Sequence, residues 1–392
     1  MNKDLDRLKA VIIAEVDQHR NQLGELSQNI HANPELGFGE AKAASWLTGY
    51  LKENGFSITE GIGGLPTAFS AGYGQGKPVI AILAEYDALP KLGHACGHNL
   101  IATGAAGAGI AARKAIDRFG GSIRVIGTPG EEIQGGKAIM AERGAFDGVD
   151  IAMMVHPGVD NTVTTQALAC QSVEVEFFGK AAHAAAFPEE GINALEAMLL
   201  SFAAIDSLRQ HIKTSARIHG VITDGGEAAN IVPAHSAGTF MVRAEDEPYL
   251  EELKQRVLNC FISAATATGA RLEYCWGKVK YAPMRNNLTL ARLFRQNMQS
   301  LGRKVRPPRT SHAFGSTDMG NVSQLLPSIH PFVAIAPEEV LVHSPQFAAA
   351  AASEAGIKGA LDAAKALAMT VTDLVASPEI VSNIKNEFGQ KR

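Results

Sequence analysis

An α/β fold, with a mostly parallel sheet flanked by helices and an inserted α+β domain of ferredoxin-like type, is predicted by three features of the 392-residue sequence. Apolar runs that turn polar at their ends recur along the chain. Ala- and Gly-rich helical stretches separate several of them. A block near the middle changes to strict apolar–polar alternation.

The elements are taken in chain order. The opening MNKDLDRLKAVIIAEVDQHR mixes acids, bases and aliphatics at helical spacing, so it predicts an amphipathic helix. It lacks the basic start, continuous apolar stretch and small-residue cleavage site of a secretory signal. Glycine-rich GYGQGK (72–77) predicts a turn between strands. VIAILAEYDALP (79–90) reads as a buried parallel strand that delivers side chains to the sheet edge. The same shape returns in SIRVIGTPGEE (122–132), DIAMMVHPG (150–158) and PFVAIAPEEV (331–340), with the helical stretch IATGAAGAGIAARKAID at 101–117. Ligands of such sheets gather beyond the carboxyl ends of the strands, where the polar residues accumulate here. The Ala run 348–352 is read as the start of the final helix.

The texture differs over 171–282. SVEVEFFGK alternates Val173, Val175 and Phe177 with Glu174 and Glu176, the pattern of a strand with one wet face. A helix with Leu195, Leu199 and Phe202 on its stripe is expected next, then strands around RIHGVIT and GTFMVRA. A second helix carries Leu250, Leu253 and Val257, and RLEYCWG alternates Leu272, Tyr274 and Trp276. The order β-α-β-β-α-β is that of a split βαβ sandwich. The expected organisation is a discontinuous main domain, 1–170 and 283–392, interrupted by a second domain at 171–282.

Composition removes several functional classes. Lys and Arg number 36 against 40 Asp and Glu, a formal charge of −4 with neutral His, so no basic footprint for nucleic acid exists. No apolar run approaches the roughly 20 residues that span a bilayer. Cys96, Cys170, Cys260 and Cys275 are scattered without a CxxC pair, which suits a reducing cytoplasm better than a disulfide scaffold. Cys170, Cys260 and Cys275 read as structural, with Cys275 expected to pack between Tyr274 and Trp276. There is no H-E-x-x-H, no G-x-S-x-G, and Gly135-Gly136-Lys137 is followed by Ala138, which breaks the phosphate-loop pattern.

The densest chemical cluster is His94-Ala95-Cys96-Gly97-His98, because imidazole and thiolate are both good ligands for a borderline metal. Glu131-Glu132 comes just after a strand end, and adjacent carboxylates repel unless one binds a cation while the other handles a proton. His156 and His343 also come after strands. Taken together, Cys96, His98, Glu132, His156 and His343 fall at or just beyond predicted strand ends on one sheet, enough ligands for two cations. Two metals about 3.5–4 Å apart activate a shared water and polarise a carbonyl, which is hydrolytic chemistry.

The runs AEYDALP (84–90), GHACGHN (93–99), GTPGEEIQGGKA (127–138), GKAAHAAAFPEEGINALEA (179–197), GGEAANIVPAHSAGTFMVRA (225–244), GSTDMGN (315–321) and VHSP (342–345) carry a resemblance. In this order they resemble the signature segments of the aminoacylase and glutamate-carboxypeptidase-like metallohydrolases, peptidase family M20. The C-G-H and S-T-D segments look most like the branch of aminoacylase-like dipeptidases and aminobenzoyl-glutamate hydrolase subunits.

The resemblance implies that Cys96, His98, Glu132, His156 and His343 bind two divalent metal ions per subunit. Zinc suits this ligation first, and manganese, cobalt or nickel fit the same geometry. It implies Glu131 as general base, taking a proton from the attacking water and returning it to the leaving amine, with Asp87 orienting a ligand from behind. By the same resemblance His183 stabilises the developing oxyanion, often from the neighbouring subunit of a homodimer, while Asn230 and Arg243 hold the substrate. A guanidinium suits a carboxylate because it makes two parallel hydrogen bonds to it.

The chain departs from many relatives at Asn99, at Glu85 and at Thr317-Asp318, which leaves the roles of Glu85 and Asp318 open. The expected activity is hydrolysis of the amide bond of a dipeptide or N-acyl amino acid with a free carboxylate, in the cytoplasm, by a homodimer or higher homo-oligomer. Two alternatives remain at this stage: an amidohydrolase whose substrate lacks that carboxylate, and a non-catalytic binding protein that keeps the fold.

Overall fold

A computed structural model of the chain describes residues 3–132, 134–307 and 315–390. It opens with helices α1 (Lys3–Gln18), α2 (Arg20–Ala32) and α3 (Ala41–Glu53), then strands β1 (Ser57–Glu60), β2 (Phe69–Gln75) and β3 (Val79–Ala84). Next come α4 (His98–Phe119), β4 (Gly121–Gly127), α5 (Gly136–Glu142), β5 (Ile151–Met153) and β6 (His156–Gly158). The middle of the chain holds β7 (Ala169–Phe178), α6 (Ala194–Arg209), β8 (Arg217–Asp224), β9 (His235–Ala244), α7 (Glu247–Thr268) and β10 (Arg271–Trp276). It closes with α8 (Leu288–Ser300), α9 (Met319–Leu325), β11 (Ser328–Ile329), β12 (Phe332–Ala334), α10 (Pro345–Ala351), α11 (Glu354–Ala376) and α12 (Pro378–Gln390). Two compact units result: one from residues up to Gln166, from Met284 and from Asp318 onward, the other from Ala167–Pro283 with 315–317.

The first unit is built on a six-stranded sheet of order β1-β2-β4-β3-β5-β11. β4, β3, β5 and β11 run parallel, and β2 and β1 are added antiparallel at one edge. All of VIAILA in β3 is buried, as a parallel strand covered on both faces requires. The Ala- and Gly-rich sequence of α4 reflects crowding around it. A Cβ on Gly109 would sit 2.4 Å from Val125, and one on Gly107 would sit 2.9 Å from Leu23. In α1 the stripe Leu8, Ile12 and Val16 is buried at four-residue spacing, as an amphipathic helix demands.

Three expectations are corrected. His156 begins β6, which pairs in parallel with β12 in a separate two-stranded sheet. The strand predicted over 150–158 therefore breaks in two, and the candidate ligands do not all hang from one sheet. The Ala run 348–352 ends its own short helix, α10, because Ser353 caps a new one by accepting the Gly356 N–H. The turn in GYGQGK comes only at its end, since β2 runs to Gln75.

The second unit is a four-stranded antiparallel sheet of order β10-β7-β9-β8. With two helices in the chain order β-α-β-β-α-β, this is the split βαβ sandwich. Val173, Val175 and Phe177 are buried and Glu174 and Glu176 exposed, as the alternation predicts. In α7 Leu250, Leu253 and Val257 are wholly buried. The stripe expected for α6 is only partly right: Phe202 packs on Phe240, but Ala194, Ala197, Met198, Ser201 and Ile205 make up the buried face, while Leu199 is 45% exposed. Small side chains share its buried face with Met198 and Ile205, and Leu199 and Leu200 turn outward. Cys275 is exposed, not packed between Tyr274 and Trp276, because neighbours in a strand point to opposite faces and Cys275 sits opposite exposed Glu174 on the wet face.

Candidate metal centre

Parallel strands end together, so the segments just beyond them converge in space. Ala84 of β3 lies opposite Gly127 of β4, and Thr128 donates its N–H and its hydroxyl to the Ala84 carbonyl. This register places Glu85 and Asp87 beside Glu131 and Glu132. The Glu132 N–H donates to Asp87 Oδ2 at 3.0 Å.

Cys96 and His98 flank Gly97, the residue before α4. Gly97 has a φ of +80°, and a Cβ there would lie 2.5 Å from Pro157 Cγ. Only glycine makes this turn without strain, so one residue fixes both candidate ligands. His343 also adopts a left-handed backbone, with φ 63°. For a non-glycine residue this conformation is strained, and such strain clusters at functional positions.

The distances are short. Cys96 Sγ lies 3.3 Å from His156 Nε2. His98 Nε2 lies 3.3 Å from Glu85 Oε2 and 3.7 Å from Glu132 Oε1, and His343 Nε2 lies 3.6 Å from Glu132 Oε2. Ligand atoms of Cys96, His98 and His156 fall within 4.8 Å of one another. So do those of Cys96, Glu132 and His343, and those of His98, Glu131 and Glu132.

The acceptors fix the tautomers. His98 Nδ1 meets the Asp87 carboxylate and carbonyl, each at 2.9 Å, and His156 Nδ1 meets the Pro157 carbonyl at 2.6 Å. Oxygens of this kind only accept, so both Nδ1 atoms carry protons and both Nε2 atoms face the cluster. His98 Nε2 and Glu132 Oε1 are buried with no hydrogen-bond partner among the described residues. Thiol, imidazole and carboxylate groups whose buried atoms lack a partner of their own fit a divalent cation.

Burial pushes the Cys96 thiol well above its ordinary range and His156 down to about 4. Burial also opposes charge on His98, but Asp87 and Glu85 outweigh it and raise that ring well above the usual value. Burial, then Glu85 and Asp318, raise Glu131 well above the ordinary carboxylate range. A cation at the cluster reverses this balance for the thiol, because it stabilises the thiolate directly.

The structure thus brings together Cys96, His98, Glu131, Glu132, His156, His343 and Asp87. His183 and Asn230 lie in the second unit, joined by a bridge between His183 and Ile231 and by the Ala184 N–H to the Asn230 carbonyl at 3.0 Å. Both are exposed. Arg243 stands at the other end of ten-residue β9, eight positions from His235 or about 26 Å at strand rise. Its Nη1 donates to Ser316 Oγ at 3.1 Å, and its Nε is buried without a partner among the described residues.

Sequence reasoning missed two buried neighbours of the cluster. Lys137 is wholly buried, with Nζ 2.5 Å from Glu85 Oε1 and 2.7 Å from Asp318 Oδ1. His330 is stacked on Phe332, with its ring 5.7 Å from that of His156. The available signals were a lysine within an otherwise apolar helical run and a histidine at a strand end.

Thiol, imidazole and carboxylate groups gathered within 4.8 Å of one another define a candidate metal centre. The chain belongs to peptidase family M20/M25/M40, whose sequence model matches residues 81–367. It is 36% identical over 401 residues to the Xaa-Arg dipeptidase of Mus musculus, covering 98% of this chain and 93% of that protein. It is also 36% identical over 313 residues to one of the p-aminobenzoyl-glutamate hydrolase subunits of Escherichia coli K12, covering 73% of this chain and 64% of that one. In fold it resembles a Bacillus subtilis dinuclear metal binding peptidase from the M20 family, with a TM-score of 0.70 at 20% identity, covering 92% of this chain and 99% of that one. Among the described residues no helix is long and apolar enough to cross a membrane.

Proposed function

We propose that the chain hydrolyses the amide bond of a dipeptide or N-acyl amino acid bearing a free carboxylate, at a two-ion centre held by Cys96, His98, Glu132, His156 and His343. The observation that carries this reading is Glu132, one oxygen toward His98 and the other toward His343, with Cys96 common to two ligand groups. When bound, the divalent ions supply Lewis-acid activation of the water and the scissile carbonyl. Zinc fits the thiolate and imidazoles best; manganese, cobalt and nickel are the other candidates.

The protein's own groups do the rest. Glu131 takes a proton from the attacking water on its carboxylate and delivers it to the leaving nitrogen. Asp87 holds the His98 ring by its Nδ1–H. Arg243, with donors to spare, takes the substrate carboxylate, while His183 and Asn230, at the far end of β9, take the carbonyl oxygen and neighbouring polar groups from the neighbouring subunit of a homodimer. A dipeptidase-like substrate is supported by the similarity to an Xaa-Arg dipeptidase along nearly the whole chain.

A homodimer is proposed through the second unit, where β8 is an edge strand and Val221 is 60% exposed. A cytoplasmic location is supported by four free cysteines. The test is a panel of dipeptides, including Xaa-Arg, with N-acyl amino acids and p-aminobenzoyl-glutamate, assayed after loading with zinc, manganese, cobalt or nickel. Turnover of a panel member is expected. No turnover with any metal favours the binding-protein alternative.

A further inference from the structure

Beside the candidate two-ion centre lies a second acidic group. Carboxylate oxygens of Glu85, Glu131 and Asp318 fall within 4.8 Å of one another. Clustered oxygens of this kind favour hard divalent cations. Here the ammonium of Lys137 enters from the start of α5, bound to Glu85 Oε1 at 2.5 Å and Asp318 Oδ1 at 2.7 Å. The Lys137 backbone N–H also donates to Asp318 Oδ2, at 2.8 Å.

We propose that Lys137 is a built-in counter-cation, whose ammonium fills a carboxylate pocket that otherwise takes a divalent ion and so limits the centre to two metals. The inference rests on the two-ion reading above and deepens it. A wholly buried lysine is costly unless its charge is matched, and two carboxylates on one ammonium match it. An ammonium on the chain is present at any metal concentration, so the occupant of this pocket does not depend on supply.

Lys137 is also a positioning residue. It ties together the end of β3 through Glu85, the start of α5, and the residue before α9 through Asp318. With Oε1 held by Lys137, Glu85 keeps Oε2 turned to His98 Nε2 at 3.3 Å. A salt bridge that served stability alone would have no bearing on how many ions the protein holds.

That difference is measurable. Wild type, Lys137→Met and Lys137→Met/Glu85→Gln/Asp318→Asn are stripped with chelator, dialysed to equilibrium against saturating manganese, and counted for ions per chain by mass spectrometry. The expected result is two ions in wild type, three in Lys137→Met and two in the triple variant. Melting of Lys137→Met should also rise with manganese more than that of wild type. Should Lys137→Met fold only in manganese while the triple variant folds without it, the proposal is again supported. Equal counts in wild type and Lys137→Met overturn it, as does a third ion in the triple variant. A wild type that binds no metal overturns the two-ion reading instead.

Discussion

The Asp87 carboxylate accepts the Nδ1–H of His98 at 2.9 Å with one oxygen and the Glu132 N–H at 3.0 Å with the other. One buried acid therefore sets both the ring orientation of a candidate ligand and the backbone of its neighbour. His98 and Asp87 hold each other's charge: burial raises the acid, but His98 keeps it below its usual range. Replacing Asp87 by Asn keeps the shape and removes the charge. Metal affinity, read by competition with a chelating dye, should fall about 10- to 100-fold. Unchanged affinity would deny Asp87 this role.

Glu131→Gln retains size but not basicity. The variant should bind the same number of ions as wild type and lose about 10²- to 10⁴-fold in kcat. Loss of metal along with activity would make Glu131 a ligand and not the base.

Gly97→Ala forces a side chain into a left-handed turn and against Pro157. Stability should drop by about 1–3 kcal/mol, and metal affinity should fall with it because Cys96 and His98 share the turn. Urea denaturation of the metal-free protein and metal titration of the folded variant separate the two effects. A variant as stable as wild type would show that the turn tolerates a Cβ.

His330 gives a pH signature. Burial, then His156, lower its pKa to about 3. The folded value lies below the unfolded value of about 6.5, so on acidification the unfolded state takes up the proton first. The neutral ring thus costs stability progressively as pH falls from about 6.5 toward 3. His330→Phe lacks that cost. In metal-free protein the melting temperature of the variant relative to wild type should rise between pH 7 and pH 4.5. An equal difference at both pH values contradicts the burial argument.

Arg243→Ala should raise KM about tenfold or more for substrates with a free carboxylate and leave carboxamide analogues unaffected. Equal effects on both would favour an amidohydrolase that ignores the carboxylate.

The site was legible in sequence wherever ligands sit close to strand ends or to each other, as with Cys96-Gly97-His98 and Glu131-Glu132. Alternation in β7 and the stripe of α7 were readable because their large apolar side chains face the core. In α6 the rule held only in part, since alanine and serine share the buried face with Met198 and Ile205, and Leu199 and Leu200 were left outside. Lys137 was illegible for another reason. Its burial depends on Glu85 and Asp318, 52 and 181 residues away, and a lysine near a helix start is ordinarily solvated. The split of the strand at 150–158 depends likewise on pairing partners distant in sequence, β11 for one half and β12 for the other.

The central claim is the two-ion centre, and anomalous diffraction from crystals soaked in manganese or zinc tests it most directly. The account predicts two peaks per chain, about 3.5–4 Å apart, both lying among Cys96, His98, Glu132, His156 and His343. A single peak, or peaks away from these residues, would contradict it.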